Sequence, residues 1–208
     1  MEKISSFYKG KKILITGVTG FKGAWLCSWL IKLGAKVYGV GFSRNKNKKK
    51  LFYSLSLDKK ISLRIFDIRN FEKIDQFIKL TRPSIIFHLA AQSLIHESYK
   101  NPFLTFDINS RGTLNILESS RKSSSVKSVV CVTSDKCFEN MNGRKNFSIK
   151  NKLKSLDLYN ASKASAELII KSYSESIFKN KIKCGISIAR SGNVIGGGDW
   201  AVDRIVPD

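Results

Sequence analysis

Six apolar runs of strand length recur along the chain, most of them followed by a stretch of helical pattern. The runs are KKILIT (11–16), KVYGVGF (36–42), ISLRIF (61–66), SIIFHLA (84–90), KSVVCVT (127–133) and KCGISIA (183–189). Between them lie amphipathic segments: FKGAWLCSWLIKLG (21–34), FEKIDQFIKL (71–80), FLTFDINSRGTLNILESSRK (103–122) and NASKASAELIIKSYSESIF (160–178). The second run leads instead into a charged loop and LFYSLSL. Short, continuous apolar strands separated by helices imply a parallel sheet covered on both faces. The expected class is therefore doubly wound α/β, without internal repeats.

Composition narrows the setting. At 208 residues the chain is long enough for one domain with a real core, and no apolar run reaches the ~18 residues of a membrane span. MEKISSFYKGKK lacks the apolar centre of a signal peptide. Cys27, Cys131, Cys137 and Cys184 show no CxxC pairing, so buried reduced thiols are expected, without disulfides or a metal site. These features together predict a cytoplasmic protein with no membrane partner. The net charge of +21 raises the rival class of a basic nucleic-acid-binding module. However, the lysines are spread along the chain, and only NKNKKK (45–50) is dense. No zinc-finger, RRM or helix-turn-helix pattern accompanies it, so no nucleic-acid partner is expected. Salt-dependent binding to DNA or RNA would separate the two classes.

The turn after the first strand points to a ligand. ITGVTGFKG places Gly17, Gly20 and Gly23 between strand and helix, as GxxGxxG rather than GxGxxG. Glycine permits a tight turn and close approach to a pyrophosphate, and the helix N-terminus supplies N–H groups. At this position the triplet reads as a dinucleotide cradle; the alternative is a purely structural turn. Thr19, Phe21 and Lys22 complete the candidate cofactor contacts, with a Rossmann-like domain as the expected frame. Asp67 and Ile68 end the third strand, and Leu89, Ala90 and Ala91 end the fourth. A carboxylate can accept from adenine, and small residues let a flat nucleotide lie against backbone. About 20 residues past the glycine turn, where an acid would hold a ribose 2′-hydroxyl, the chain reads GVGFSRN. Arg44, with Lys46 nearby, suits a 2′-phosphate, so NADP stays open beside NAD.

The fifth strand ends in chemistry. VTSDKCFEN puts two hydroxyls, an acid and a base at the mouth of a buried strand, and four such side chains build no core. Ser134, Asp135 and Lys136 are candidate catalytic groups. In LYNASKASAEL, Tyr159 and Lys163 stand four apart and share a helix face. An ammonium beside a phenol favours the phenolate. A tyrosine so tuned can take a proton from a sugar hydroxyl while hydride leaves the same carbon for nicotinamide.

GxxGxxG with YxxxK and a Ser/Thr one strand earlier resembles the extended short-chain dehydrogenase/reductases. The finer resemblance is to the CDP-glucose 4,6-dehydratase family, carried by TGVTGFKGAWL, DIRNFEK, FHLAAQ, VTSDKCFEN, YNASKASAEL and RSGNVIGGGDWAVDRIVPD. It runs from about Lys11 to Asp208. Related dTDP-glucose dehydratases have Asp-Glu where this chain has Asp135-Lys136. The resemblance implies an NAD-dependent lyase. Ser134 would bond the sugar O4 and Tyr159 would remove its proton. Asp135 and Lys136 would serve the loss of water across C5 and C6, with the division between them open. It also implies a CDP-sugar substrate met by Gln92, Ser93 and Asn193, and a homo-oligomer. A nucleotide-sugar 4-epimerase or related reductase of the same superfamily is the alternative enzyme. The chain departs from the pattern at His96, where an arginine is usual, at Phe138, and in KLKSLDLYN before Tyr159. His96 is either a weaker phosphate partner or a plain surface substitution.

The expected division is a cofactor domain over 1–190 and the start of a substrate-binding lobe over 191–208. The family's chain continues past that point. The 208 residues alone are therefore expected to bind cofactor without turning over substrate.

Overall fold

A computed structural model describes residues 2–43, 50–137, 157–179 and 184–200, without the side chains of Lys50 and Lys136. Arg44 and Lys46, Phe138, the 151–156 stretch and residues 201–208 lie outside these.

The sheet has six strands: β1 (Lys12–Thr16), β2 (Lys36–Gly41), β3 (Ser62–Ile65), β4 (Ile85–His88), β5 (Ser128–Ser134) and β6 (Gly185–Ser191). Their spatial order is β3-β2-β1-β4-β5-β6, and every neighbouring pair is parallel. The chain thus winds outward from β1 in one direction, then from β4 in the other, and the crevice between them is where such sheets take ligands.

Successive residues of a strand face opposite sides, and this divides the core in two. On one side Ile13, Ile15 and Ile85 pack with Ala24, Cys27 and Leu30 of α2 (Phe21–Lys32) and Phe52 of α3 (Lys50–Ser54). On the other, Leu14, Ile86 and Val129 meet α4 (Phe71–Thr81), α7 (Gly112–Lys122) and α8 (Leu158–Tyr173). Fully burying an aliphatic side chain contributes about 1.5–3 kcal/mol, so the central strands anchor the fold. β3 and β6, the edge strands, are only partly covered, β5 alternates between half-buried and buried residues, and the continuous burial expected of all six runs holds most nearly for β1, β2 and β4.

Local chemistry places the helix starts. The Asn70 side chain accepts from the Lys73 N–H at 2.9 Å and opens α4. Asp157 accepts from the Asn160 N–H at 2.8 Å, so α8 begins at Leu158 rather than at Asn160. Three features depart from the sequence reading. The N-terminal Glu2–Tyr8 forms a helix (α1), and LFYSLSL folds into α3 and a 3-10 turn, Leu57–Lys59. The single helix expected over 103–122 is α6 (Pro102–Phe106), a π turn (Asp107–Arg111) and α7, preceded by a further short helix, α5 (Ile95–Lys100).

Candidate functional site

A cavity of about 910 Å³ opens at the carboxyl ends of the strands. Its floor is the glycine turn. Gly17 has φ +73°, and a Cβ there would lie 2.8 Å from the Ala90 nitrogen, so only glycine fits between β1 and β4. Gly23 presses α2 onto the same turn: a Cβ would fall 2.2 Å from the Gly17 carbonyl oxygen. Gly20 caps α2 without a side chain, leaving the first turn of that helix, with its N–H groups and positive dipole end, facing the cavity. Volume, turn and helix end suit a dinucleotide.

Asp67 and Ile68 line the far end with Phe42 and Phe66. The Asp67 carboxylate accepts from Arg69 three times, from the backbone N–H at 2.9 Å and the guanidinium at 3.0 and 2.7 Å. Burial opposes its ionisation, but the Arg69 bonds and charge prevail and hold its pKa below the ordinary value.

Beneath the turn runs a directed chain of buried bonds. The Ala90 N–H donates to Thr16 Oγ1 at 3.3 Å, and the Thr113 hydroxyl donates to the Asn109 carbonyl at 2.6 Å. His88 lies between the two threonines, at 2.7 Å from Thr16 Oγ1 through Nδ1 and 3.1 Å from Thr113 Oγ1 through Nε2. Because the Thr113 proton is already committed, His88 Nε2–H donates and Nδ1 accepts. The ring is neutral: burial, then the charge of Lys163, bring its pKa down to about 3. Asn109 then holds the Gln92 backbone on both sides and donates to Ser162 Oγ at 2.9 Å, and Ser162 donates to the Tyr159 carbonyl. The cofactor end and the helix carrying Tyr159 are thereby joined.

At the opposite end stand the expected reacting groups. Ser134 donates to Asp135 Oδ1 at 3.3 Å, and the Asp135 carboxylate lies against Gly192. Tyr159 and Lys163 are buried on one face of α8. Burial, then the nearby charge of Lys22, lower the Lys163 ammonium to about 8. Thr133, first of the polar quartet, turns away from this role: its hydroxyl donates to Glu167 at 2.7 Å.

The segment 192–200 forms one wall of the cavity. The Trp25 indole N–H donates to the Gly197 carbonyl at 3.0 Å, Phe21 packs against Gly196, and Leu51 lies under Gly198. Lys22 reaches the base of this wall, 3.4 Å from Ser191 Oγ.

The described residues marked by the sequence all line this cavity except Gln92. The Gln92 side chain is instead engaged by Leu94 and Thr105. Ser93, His96 and Asn193 line it. Arg44 and the Lys136 side chain are outside the described residues. The sequence reading missed His88, Asn109, Glu167 and Arg190. Only Glu167 carried a local signal, four residues past Lys163 on the same helix face.

The model of the GDP-mannose 4,6 dehydratase family matches residues 14–192, from β1 through the whole sheet. The chain belongs to this family. Among curated dehydratases, it is 40% identical to CDP-glucose 4,6-dehydratase of Salmonella typhimurium over 98% of its own length and 57% of that protein. It thus spans little more than half of that relative. Among solved structures it resembles UDP-glucose 4-epimerase of Thermus thermophilus in complex with NAD (TM-score 0.76, 26% identity, 89% of this chain and 56% of that one). UDP-glucose 4-epimerase of Thermotoga maritima with UDP-glucose is similar (TM-score 0.75, 26% identity, 89% and 56%). For a member of the dehydratase family, the likeness to these epimerases is one of fold, over little more than half of each of them.

Proposed function

We propose that the protein is a nucleotide-sugar 4,6-dehydratase that converts CDP-glucose to the 4-keto-6-deoxy sugar nucleotide and uses NAD. The carrying observation is the convergence of Ser134, Asp135, Tyr159 and Lys163 on one cavity beside a glycine turn that leaves room for a dinucleotide. The 40% identity to the Salmonella enzyme supports the substrate, and the Thermus NAD complex supports the cofactor over NADP.

Gly17, Gly20, Gly23 and Asp67 would hold the dinucleotide, whose chemistry, when bound, would be reversible hydride acceptance between the sugar C4 and C6. Tyr159 removes the O4 proton, helped by the Lys163 ammonium, while Ser134 holds the same oxygen. The resulting ketone acidifies the C5 proton. Asp135 and Lys136 then divide the two tasks of dehydration, one taking that proton and the other protonating the departing hydroxyl. Water is lost and the redox state is restored, so the net reaction is that of a lyase. Residues 1–190 serve as the cofactor domain and 191–208 open the lobe that grips the nucleotide of the substrate. For the full-length protein we also propose a homo-oligomer, on the family resemblance.

The second reading is a 4-epimerase, favoured by the likeness to two solved epimerases. Incubation of a longer chain that carries the whole substrate-binding lobe with CDP-glucose and NAD, followed by mass spectrometry of the sugar nucleotide, separates them. Loss of the mass of one water is expected; an isomer of unchanged mass would favour epimerisation. Asp135→Asn with full dehydratase activity would remove Asp135 from the scheme.

A further inference from the structure

The geometry points to Glu167 as a positioning residue of the catalytic cluster: it fixes α8, and with it Tyr159 and Lys163, against the tips of β5 and β6. This rests on the dehydratase reading above. Glu167 is fully buried, and a buried carboxylate is tolerated only when its oxygens are satisfied. Three donors meet it: the Thr133 hydroxyl at 2.7 Å, Arg190 Nε at 2.7 Å and the second Arg190 nitrogen at 2.6 Å. They come from two strands. Thr133 and Arg190 are register partners across β5 and β6. Thr133 immediately precedes Ser134, and Arg190 precedes Ser191 at the root of the cavity wall. On α8, Glu167 lies one turn beyond Lys163 and two beyond Tyr159. One carboxylate therefore sets the height of the tyrosine and lysine relative to the serine. Apolar packing at Ala166 and Ile170 holds the helix down but has no direction, whereas hydrogen bonds do.

A buried ion pair alone is weak evidence of such a role, since a well-packed apolar pair often replaces one without loss of stability. That fact supplies the test. Glu167→Met with Arg190→Met keeps the volume and removes both charges; Thr133→Val removes one bond and keeps the ion pair. The groups facing Lys163 from the surrounding elements are Lys22, His88, Cys131, Cys137 and Glu167. Of these only Glu167 changes in the double variant.

In the double variant of the longer chain with the whole substrate-binding lobe, kcat is expected to fall about 10- to 100-fold with the KM for CDP-glucose little changed, because a misplacement of ~1 Å is worth about that much. Thr133→Val should show the same split, smaller. The pH midpoint for labelling of Lys163 by an amine-reactive reagent, read by mass spectrometry, should fall in the double variant as the favourable carboxylate is lost. If both variants keep native kcat and Lys163 labels at the native midpoint, the inference is overturned. Failure of the double variant to fold would leave Thr133→Val to decide, and native kcat in that variant would count as refutation. If the native chain carrying the whole substrate-binding lobe does not act on CDP-glucose, the dehydratase reading fails alone. The labelling midpoint then still decides whether Glu167 governs Lys163.

Discussion

Lys163 shows how the site balances burial against charge. The proposed mechanism wants its ammonium beside Tyr159, yet burial and Lys22 bring its pKa from 10.5 to about 8. In the proposed mechanism the protonated form is the useful one, so turnover by the chain with the whole substrate-binding lobe is expected to fall as pH rises through about 8. A pH–rate profile with an unbroken plateau to about pH 10 would contradict this. Lys163 and Tyr159 were legible in the sequence because four-residue spacing on a helix is a local rule. Of the groups that support them, only Glu167 left a local trace, and its partners left none. Glu167 meets Thr133 across 34 positions and Arg190 across 23, and His88 meets Thr16 across 72. No periodicity encodes such pairs; only the strand order brings them together.

Elements can be perturbed separately, and two caps provide a matched experiment. Asn70 opens α4, far from the chemistry, and Asp157 opens α8, two residues before Tyr159. Replacing either with alanine should cost about 1 kcal/mol of stability, seen as similar losses in thermal melts. Only Asp157→Ala should also lower kcat, because it loosens the turn that carries the tyrosine. Equal kcat values in the two variants would argue against this. The glycine turn is less forgiving. Gly17→Ala puts a Cβ into a positive-φ position 2.8 Å from the Ala90 nitrogen. It should cost about 1–3 kcal/mol and abolish NAD binding in calorimetry. At this scale the inner strands and long helices were legible from apolar runs and amphipathic spacing. The short helices α1, α3 and α5 were not, since such brief pieces have too few turns to show a period. Nor was the π turn at Asp107–Arg111, where Asn109 reaches for Gln92 and Ser162.

Across the whole molecule, four buried thiols make alkaline stability a readable property. Burial pushes Cys27 and Cys131 from 9.0 up to about 12, and Cys137 and Cys184 up to about 11. The unfolded chain loses these protons first. Their contribution is therefore complete below about pH 9 and is lost as pH climbs through 11 to 12. Lys163 works the other way between about 8 and 10.5, but four groups outweigh one. Melting temperature under reducing conditions should fall from about pH 9 upward, and a rising value would refute the assignment. The wall formed by segment 192–200 and pinned by the Trp25 indole has a consequence in time rather than in shape. A cofactor that is restored at every cycle need not exchange, so slow departure costs the enzyme nothing. Trp25→Phe keeps a ring but drops the N–H, and NAD release measured by stopped flow should quicken several-fold. If the off-rate is unaltered, the wall plays no part in residence. If it rises, this tryptophan sets how many turnovers one nicotinamide serves before it is replaced.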